Sequence, residues 1–107
     1  MSDSQYKDVT PQDTLKAKLN METALINWHE LQRYFAAGRV VCVSQGVDLV
    51  EVALQLSQDN KDQFQQWIAT GAVGGVTEQQ AQQWYDQKVD LWAVVVAPWV
   101  LVQEQTG

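Results

Sequence analysis

The segment Leu91–Val102 constrains the fold of this chain most, because it is a continuous run of apolar residues rich in valine. Such a run is typical of a strand that is covered on both faces. It is far shorter than the roughly 20 residues that a membrane-spanning helix needs. Pro98 has no backbone N–H, so it predicts a bulge, an edge or a break between two strands. We therefore expect the valines and tryptophans of this segment to be withdrawn from water as β-structure.

Four other stretches carry the start and stop signals of helices. Each follows a residue whose side chain can cap a helix N-terminus, such as Thr10, Asn27 or Thr77. Glycines follow two of the stretches and end them, because glycine adopts the left-handed conformation without steric cost. The predicted helices run from Thr10 to about Leu19, from Asn27 to Gly38, over Lys61–Thr70 and over Glu78–Gln87.

Two short stretches are predicted as strands, and a third is ambiguous. Thr23–Ile26 and Val40–Val43 are extended or β-prone pieces. In Leu49–Ser57, apolar residues recur at helical spacing, but they also alternate with other residues as in a strand. We favour a strand, because the alternation is cleaner and the turn at Ser44–Gly46 would close a hairpin with Val40–Val43.

These elements predict one α+β domain over residues 10–107, preceded by a disordered tail at residues 1–9. A chain of 107 residues with 46% hydrophobic residues and five tryptophans has enough apolar material for one core. The expected architecture is an antiparallel or mixed sheet of three to four strands with helices packed on one face.

The net charge of the chain argues against two classes of binding partner, and its N-terminal residues and cysteine content indicate the compartment. A net charge of -6 repels nucleic acid and anionic membrane surfaces, so neither is an expected partner. No apolar stretch follows a basic N-terminus, so we expect a cytoplasmic protein without a secretory signal. The single Cys42 lies in an apolar segment, which indicates a buried and unreactive thiol.

Candidate catalytic groups are sparse. His29 is the only histidine and has no cysteine or second histidine at ligand spacing, so no zinc site is expected. Asp48 and Glu51 form a carboxylate pair, but on the favoured strand they point to opposite faces, which disfavours an acid–base dyad. The glycines of Gly71–Gly75 lack the lysine and hydroxyl of a phosphate loop. We expect no cofactor and no metal.

Tryptophan is the unusual component of the sequence. Trp28, Trp67 and Trp84 fall on the apolar stripes of helices, which indicates core positions. Trp92 and Trp99 lie in the apolar C-terminal segment, and tryptophan is enriched at interaction hot spots. We therefore predict an interface, formed with a second copy or another protein, from four residues of that segment: Trp92, Pro98, Trp99 and Leu101.

The sequence thus favours a non-enzymatic interaction or assembly module that forms a homodimer or binds another protein. The alternative is a small-ligand or enzymatic site, which requires the second helix to lie beside the start of the segment from Leu49. The residues of that alternative site are Trp28, His29, Arg33, Asp48 and Glu51.

Four stretches of the chain together resemble an uncharacterised bacterial family, domain of unknown function 2288. The resemblance extends from about Leu15 to Glu104, and its most specific pieces are Asp48–Glu51 and Pro98–Leu101. It implies a bacterial cytosolic protein, and it transfers neither an activity nor catalytic residues. The stretches that carry the resemblance are Leu19–Ala24, Trp28–Arg33, Val47–Ala53 and Val94–Gln103.

Overall fold

The computed structural model describes residues 11–106, which form five helices and five strands. The predicted tail at residues 1–9 and the predicted cap at Thr10 lie outside the described residues. Within residues 11–106 no helix is long and apolar enough to cross a membrane. In chain order the elements are α1 Pro11–Glu22, β1 Ala24–Asn27, α2 Trp28–Ala36, β2 Val40–Val43, α3 Leu49–Ser57, α4 Lys61–Thr70, β3 Val73–Gly75, α5 Glu78–Asp86, β4 Asp90–Val96 and β5 Trp99–Glu104.

The five strands form one open mixed sheet in the order β1-β4-β5-β2-β3. Strands β5 and β2 run parallel, and the other neighbouring pairs are antiparallel. The break predicted at Pro98 is confirmed, because β4 and β5 form a hairpin that turns at Ala97–Pro98 and pairs Val94 with Leu101. The α+β class with a mixed sheet is therefore confirmed. The expected count of three to four strands is too low, since Val73–Gly75 also pairs as a strand.

Helices cover both faces of the sheet, and the prediction of a single covered face is wrong. Helices α1, α3 and α4 pack on one side, here called the front face, against strand residues that include Val94 and Leu101. Helices α2 and α5 pack on the back face, against strand residues that include Leu91 and Val102. Because side chains alternate along a strand, apolar residues at consecutive positions of β4 and β5 need cover on both sides.

The segment Leu49–Ser57 is a helix, so the favoured strand and its hairpin with Val40–Val43 are wrong. Asp48 caps the helix: its Oδ1 accepts hydrogen bonds from Val50 N at 3.0 Å and from Glu51 N at 3.2 Å. The helical spacing then buries four residues, Leu49, Val52, Ala53 and Leu54, on the front face. Strand β2 pairs instead with β5 and β3. Apolar residues cover so much of the surface of α3 that they also alternate with other residues along the sequence, and this alternation explains why the sequence favours a strand.

The predicted starts of α2, α4 and α5 are confirmed, whereas α1 ends at Glu22, three residues after the predicted end at Leu19. Side chains of Asn27, Asn60 and Thr77 each accept a hydrogen bond from a backbone N–H in the first turn of the following helix. Gly71 ends α4 with a φ of 83°, a left-handed conformation that strains residues with a side chain. These local signals fix the ends of the helices without reference to the rest of the fold.

Candidate functional site

The five residues of the predicted ligand site are divided between the two faces of the sheet. Trp28 is fully buried in the back-face core, and His29 and Arg33 follow it on α2. Asp48 and Glu51 lie at the start of α3, which packs on the front face. The sheet separates these two groups, so the structure does not bring the five residues together in one site.

The polar residues of α2 are held by aromatic neighbours at the surface. The His29 ring stacks on Tyr85 of α5 with centroids 4.2 Å apart and planes at 8°, and His29 Nε2 lies 3.0 Å from the Tyr85 carbonyl oxygen. Arg33 donates from Nη2 to the Tyr34 hydroxyl at 2.9 Å. A carbonyl oxygen orients an imidazole but does not supply the carboxylate charge that often activates a general base.

The carboxylates of α3 have structural partners. Glu51 accepts hydrogen bonds from Gln55 Nε2 at 2.8 Å and from Lys16 Nζ of α1 at 3.2 Å. The bond from Gln55, followed by that from Lys16, holds the pKa of Glu51 below its ordinary value. Asp48 and Glu51 share one side of a helix instead of opposite sides of a strand. Because Glu51 stays ionised at neutral pH, it suits an ion pair better than a general acid.

A groove runs along the front face between α1 and the start of α3. It has a volume of about 350 Å³, and its lining includes Asn20, Asp48, Val50 and Trp92. Gln103 shapes one wall, because its Nε2 donates to the carbonyl oxygens of Ser44 at 2.8 Å and Val47 at 2.6 Å and so holds the loop between β2 and α3. The groove thus places Asp48 beside Trp92.

Beside the groove lies the outer strand of the sheet, β1, whose exposed Leu25 stands directly opposite Trp92 of β4. Leu25 is 45% exposed and Trp92 is 39% exposed. Trp28 N donates to Val89 O at 2.8 Å, so these two residues form a hydrogen-bonded pair. Along two antiparallel strands, such pairs alternate with pairs that share no hydrogen bond. Leu25, three residues before Trp28, belongs to a pair without hydrogen bonds, so its N–H and C=O point away from β4. The β1 edge surface comprises Leu25, Trp92 and these outward backbone groups.

The four residues of the predicted interface do not form one surface. Trp92 and Trp99 are both partly exposed, and Pro98 is exposed in the hairpin turn. Between the two tryptophans lies Val94, which α3 covers and which is 1% exposed. Leu101 is fully buried in the front-face core and is a packing residue of the single chain. The exposed part of the prediction therefore falls into a Trp92 region and a hairpin-tip region.

The single cysteine lies on β2 and is partly buried. Burial raises the pKa of the Cys42 thiol, and the negative charge of Glu104 raises it further. In the part of the chain that the structure describes, no three His, Cys, Asp or Glu side chains are grouped so that they could hold a metal ion.

Two residues of functional interest have no signal in the sequence. Leu25 lies in a four-residue strand, and its exposure follows from the position of β1 at the edge of the sheet. Gln32 lies on α2 facing α5, and its Nε2 is buried without a hydrogen-bond partner. Glutamine is common on solvated helix faces, so neither its identity nor its spacing distinguishes Gln32 from its neighbours.

Comparisons with known proteins agree on one family. The family described as "Protein of unknown function (DUF2288)" matches residues 14–104. The fold is similar to that in the NMR solution structure of PA1075 from Pseudomonas aeruginosa, with a TM-score of 0.76 and 43% sequence identity over 94% of this chain and 91% of that chain. No curated protein matches significantly. The chain therefore belongs to the DUF2288 family, and the resemblance seen in the sequence is confirmed.

Proposed function

We propose that this protein is a non-enzymatic interaction module that forms a homodimer by pairing β1 with β1 of a second copy. The observation that supports the proposal is the exposed Leu25–Trp92 pair beside a strand whose outer backbone groups have no strand neighbour within residues 11–106. An open edge of this kind is a template for pairing with another strand.

The register of such a pair follows from the geometry of β1. A two-fold axis at Leu25 brings Leu25 opposite Leu25 of the second copy, and the two residues exchange both of their outward hydrogen bonds. The same axis places Asn27 opposite Thr23, so that the N–H of Asn27 donates to the C=O of Thr23 in each direction. The strand is therefore complementary to itself, which favours a second copy as the partner.

The charge of β1 also favours this pairing. Natural proteins protect edge strands with charged residues, proline or bulges. The four residues of β1, Ala24–Asn27, include no charged residue and no proline. In the two-fold register Glu22 falls opposite Trp28 and not opposite another carboxylate. The contact itself is thus neutral, although each chain carries a net charge of -6.

The apolar part of the interface sets the expected affinity. Dimerisation buries most of the exposed surface of Leu25 and Trp92 in each copy, and each partly exposed side chain contributes about 1 kcal/mol. The four side chains together contribute about 4 kcal/mol, to which the backbone hydrogen bonds add a few kcal/mol. Because association costs at least about 4 kcal/mol, only a few kcal/mol remain, which corresponds to a dissociation constant of about 1 mM or weaker.

Sedimentation equilibrium from about 0.1 mM to several millimolar tests the proposal, because this range brackets the expected dissociation constant. The full chain is expected to change from monomer to dimer, and added salt should strengthen the dimer by screening the charge repulsion. Trp92→Ala should weaken dimerisation by roughly 30-fold, because both copies lose about 1 kcal/mol. Trp99→Ala is the matched control: this tryptophan is equally exposed on the same face, but it lies at the hairpin tip and should leave the dimer unchanged. A clean monomer at several millimolar, about the limit of the expected dissociation constant, would overturn the proposal.

A charge-pair experiment tests the register. Leu25→Lys and Leu25→Glu each place like charges opposite one another at the two-fold axis, so each variant alone should be monomeric. Mixed together, the two variants should form a heterodimer, because opposite charges then face each other. Leu25 is partly exposed at the edge of the sheet, so both variants should keep the circular dichroism spectrum of the parent. If either variant alone remains dimeric, or if the mixture stays monomeric, β1 is not the interface.

A further inference from the structure

The back face has a cleft between α2 and α5 that the proposed dimer does not use. Its volume is about 390 Å³, within the range of sites that hold small molecules. The walls combine apolar surface with amide, carboxylate and phenol groups. The lining residues are Gln32, Phe35, Glu78, Ala81, Gln82 and Tyr85.

Two buried donors on α2 have no hydrogen-bond partner among the residues that the structure describes. Gln32 lines the cleft, and its Nε2 is buried without a hydrogen bond. Trp28 Nε1, one helical turn earlier on α2, is also buried without a hydrogen bond, but Trp28 does not line the cleft, so only the Gln32 donor can gain a partner there. A buried donor without an acceptor costs free energy, and a ligand that accepts a hydrogen bond in the cleft removes that cost.

The other walls define the chemistry of the ligand. Phe35 and Tyr85 supply aromatic surface, and the stacked ring of His29 fixes the plane of Tyr85. Glu78 can accept a hydrogen bond from the ligand and repels an anion. The cleft has no lysine or arginine in its lining, and the chain as a whole is acidic. The walls therefore suit a flat, uncharged ring with both acceptors and donors, and they do not suit a phosphate.

We propose that the cleft between α2 and α5 binds a neutral planar nitrogen heterocycle, which lies against the aromatic walls and accepts a hydrogen bond from the Gln32 amide once that amide turns toward the cleft. A nucleobase or its nucleoside has this chemistry. The site is on the opposite face from Leu25 and Trp92, so the inference is independent of the proposed dimer.

Nuclear magnetic resonance on the full chain tests the site, with adenosine as the probe and adenosine monophosphate as its charged counterpart. Adenosine is expected to shift the side-chain amide signals of Gln32 in a saturable way, and the monophosphate should bind at least several-fold more weakly. An unshifted Gln32 amide at millimolar adenosine overturns the proposal. Equal or tighter binding of the monophosphate overturns the assignment to a neutral ligand.

The variant Gln32→Leu separates a binding role from a structural one. Removing an unpaired buried amide should raise the denaturation midpoint of the ligand-free chain while the binding of adenosine is lost. Gln66→Leu on α4 is the matched control, because Gln66 is exposed and far from the cleft, and this variant should bind adenosine normally. If Gln32→Leu keeps adenosine binding, or lowers the midpoint, Gln32 is a packing residue and the proposal fails.

Discussion

Replacing Asp48 tests how much its capping side chain stabilises helix α3. Asp48→Ala removes the acceptor of two backbone N–H groups, those of Val50 and Glu51, at the start of α3. Loss of an N-cap side chain costs about 1 kcal/mol, and loss of the negative charge near the positive end of the helix adds about 0.5 kcal/mol. We expect the free energy of unfolding to fall by about 1.5 kcal/mol. The fold should persist, because four buried residues of α3 still anchor the helix.

Urea denaturation monitored by tryptophan fluorescence measures this loss, with the slope of the transition unchanged. Asp48→Asn keeps the capping oxygen and loses only the charge, so its cost should be about 0.5 kcal/mol. Asp62→Ala is the control, since Asp62 lies in the first turn of α4 without capping it, and its effect should also be about 0.5 kcal/mol. If Asp48→Ala costs no more than Asp62→Ala, the cap does not stabilise α3 and our reasoning is refuted.

Two further predictions concern pH and the core. Because the pKa of Glu51 is lowered in the folded chain, its stabilising contribution is present above the ordinary carboxyl pKa and is lost as pH falls through the folded value. Lys16→Met should reduce this pH dependence of the free energy of unfolding. The reduction should be less than about 1 kcal/mol, because the side chains of Lys16 and Glu51 are both partly exposed. Urea denaturation midpoints at neutral and acidic pH measure it. Leu101→Ala should lower the free energy of unfolding by about 2 to 5 kcal/mol in the same assay, because Leu101 is fully buried. An effect below about 1 kcal/mol would contradict its assignment to the core.

The sequence predicted those elements whose signals are local. Helix starts can be predicted at Asn27, Asn60 and Thr77, because a capping side chain accepts a hydrogen bond from an N–H group two or three residues later in the chain. The break at Pro98 is also local, because the missing N–H belongs to the residue itself. Asp48 carries the same kind of signal, but the alternation of apolar residues after it favours a strand when the sequence is considered alone.

The candidate surfaces depended on information that no local pattern contains. Gln32 resembles any other glutamine on a helix until α5 packs against α2 and buries its amide. Trp92 and Leu101 look alike as apolar strand residues, yet one borders the open edge and the other lies beneath α3. Whether an apolar residue is a contact surface or a core residue is decided by which elements cover it.

The sequence by itself determined the α+β class of this chain and the apolar strands near its C-terminus, because capping residues, proline and runs of apolar residues act locally along the chain. Only the tertiary structure decided the strand order, the division of helices between two faces, and the position of β1 at the edge beside Trp92. Those features arise from pairing between segments that are distant in the chain, such as β1 with β4 and β2 with β5, and their energies depend on which surfaces the whole fold can bury together.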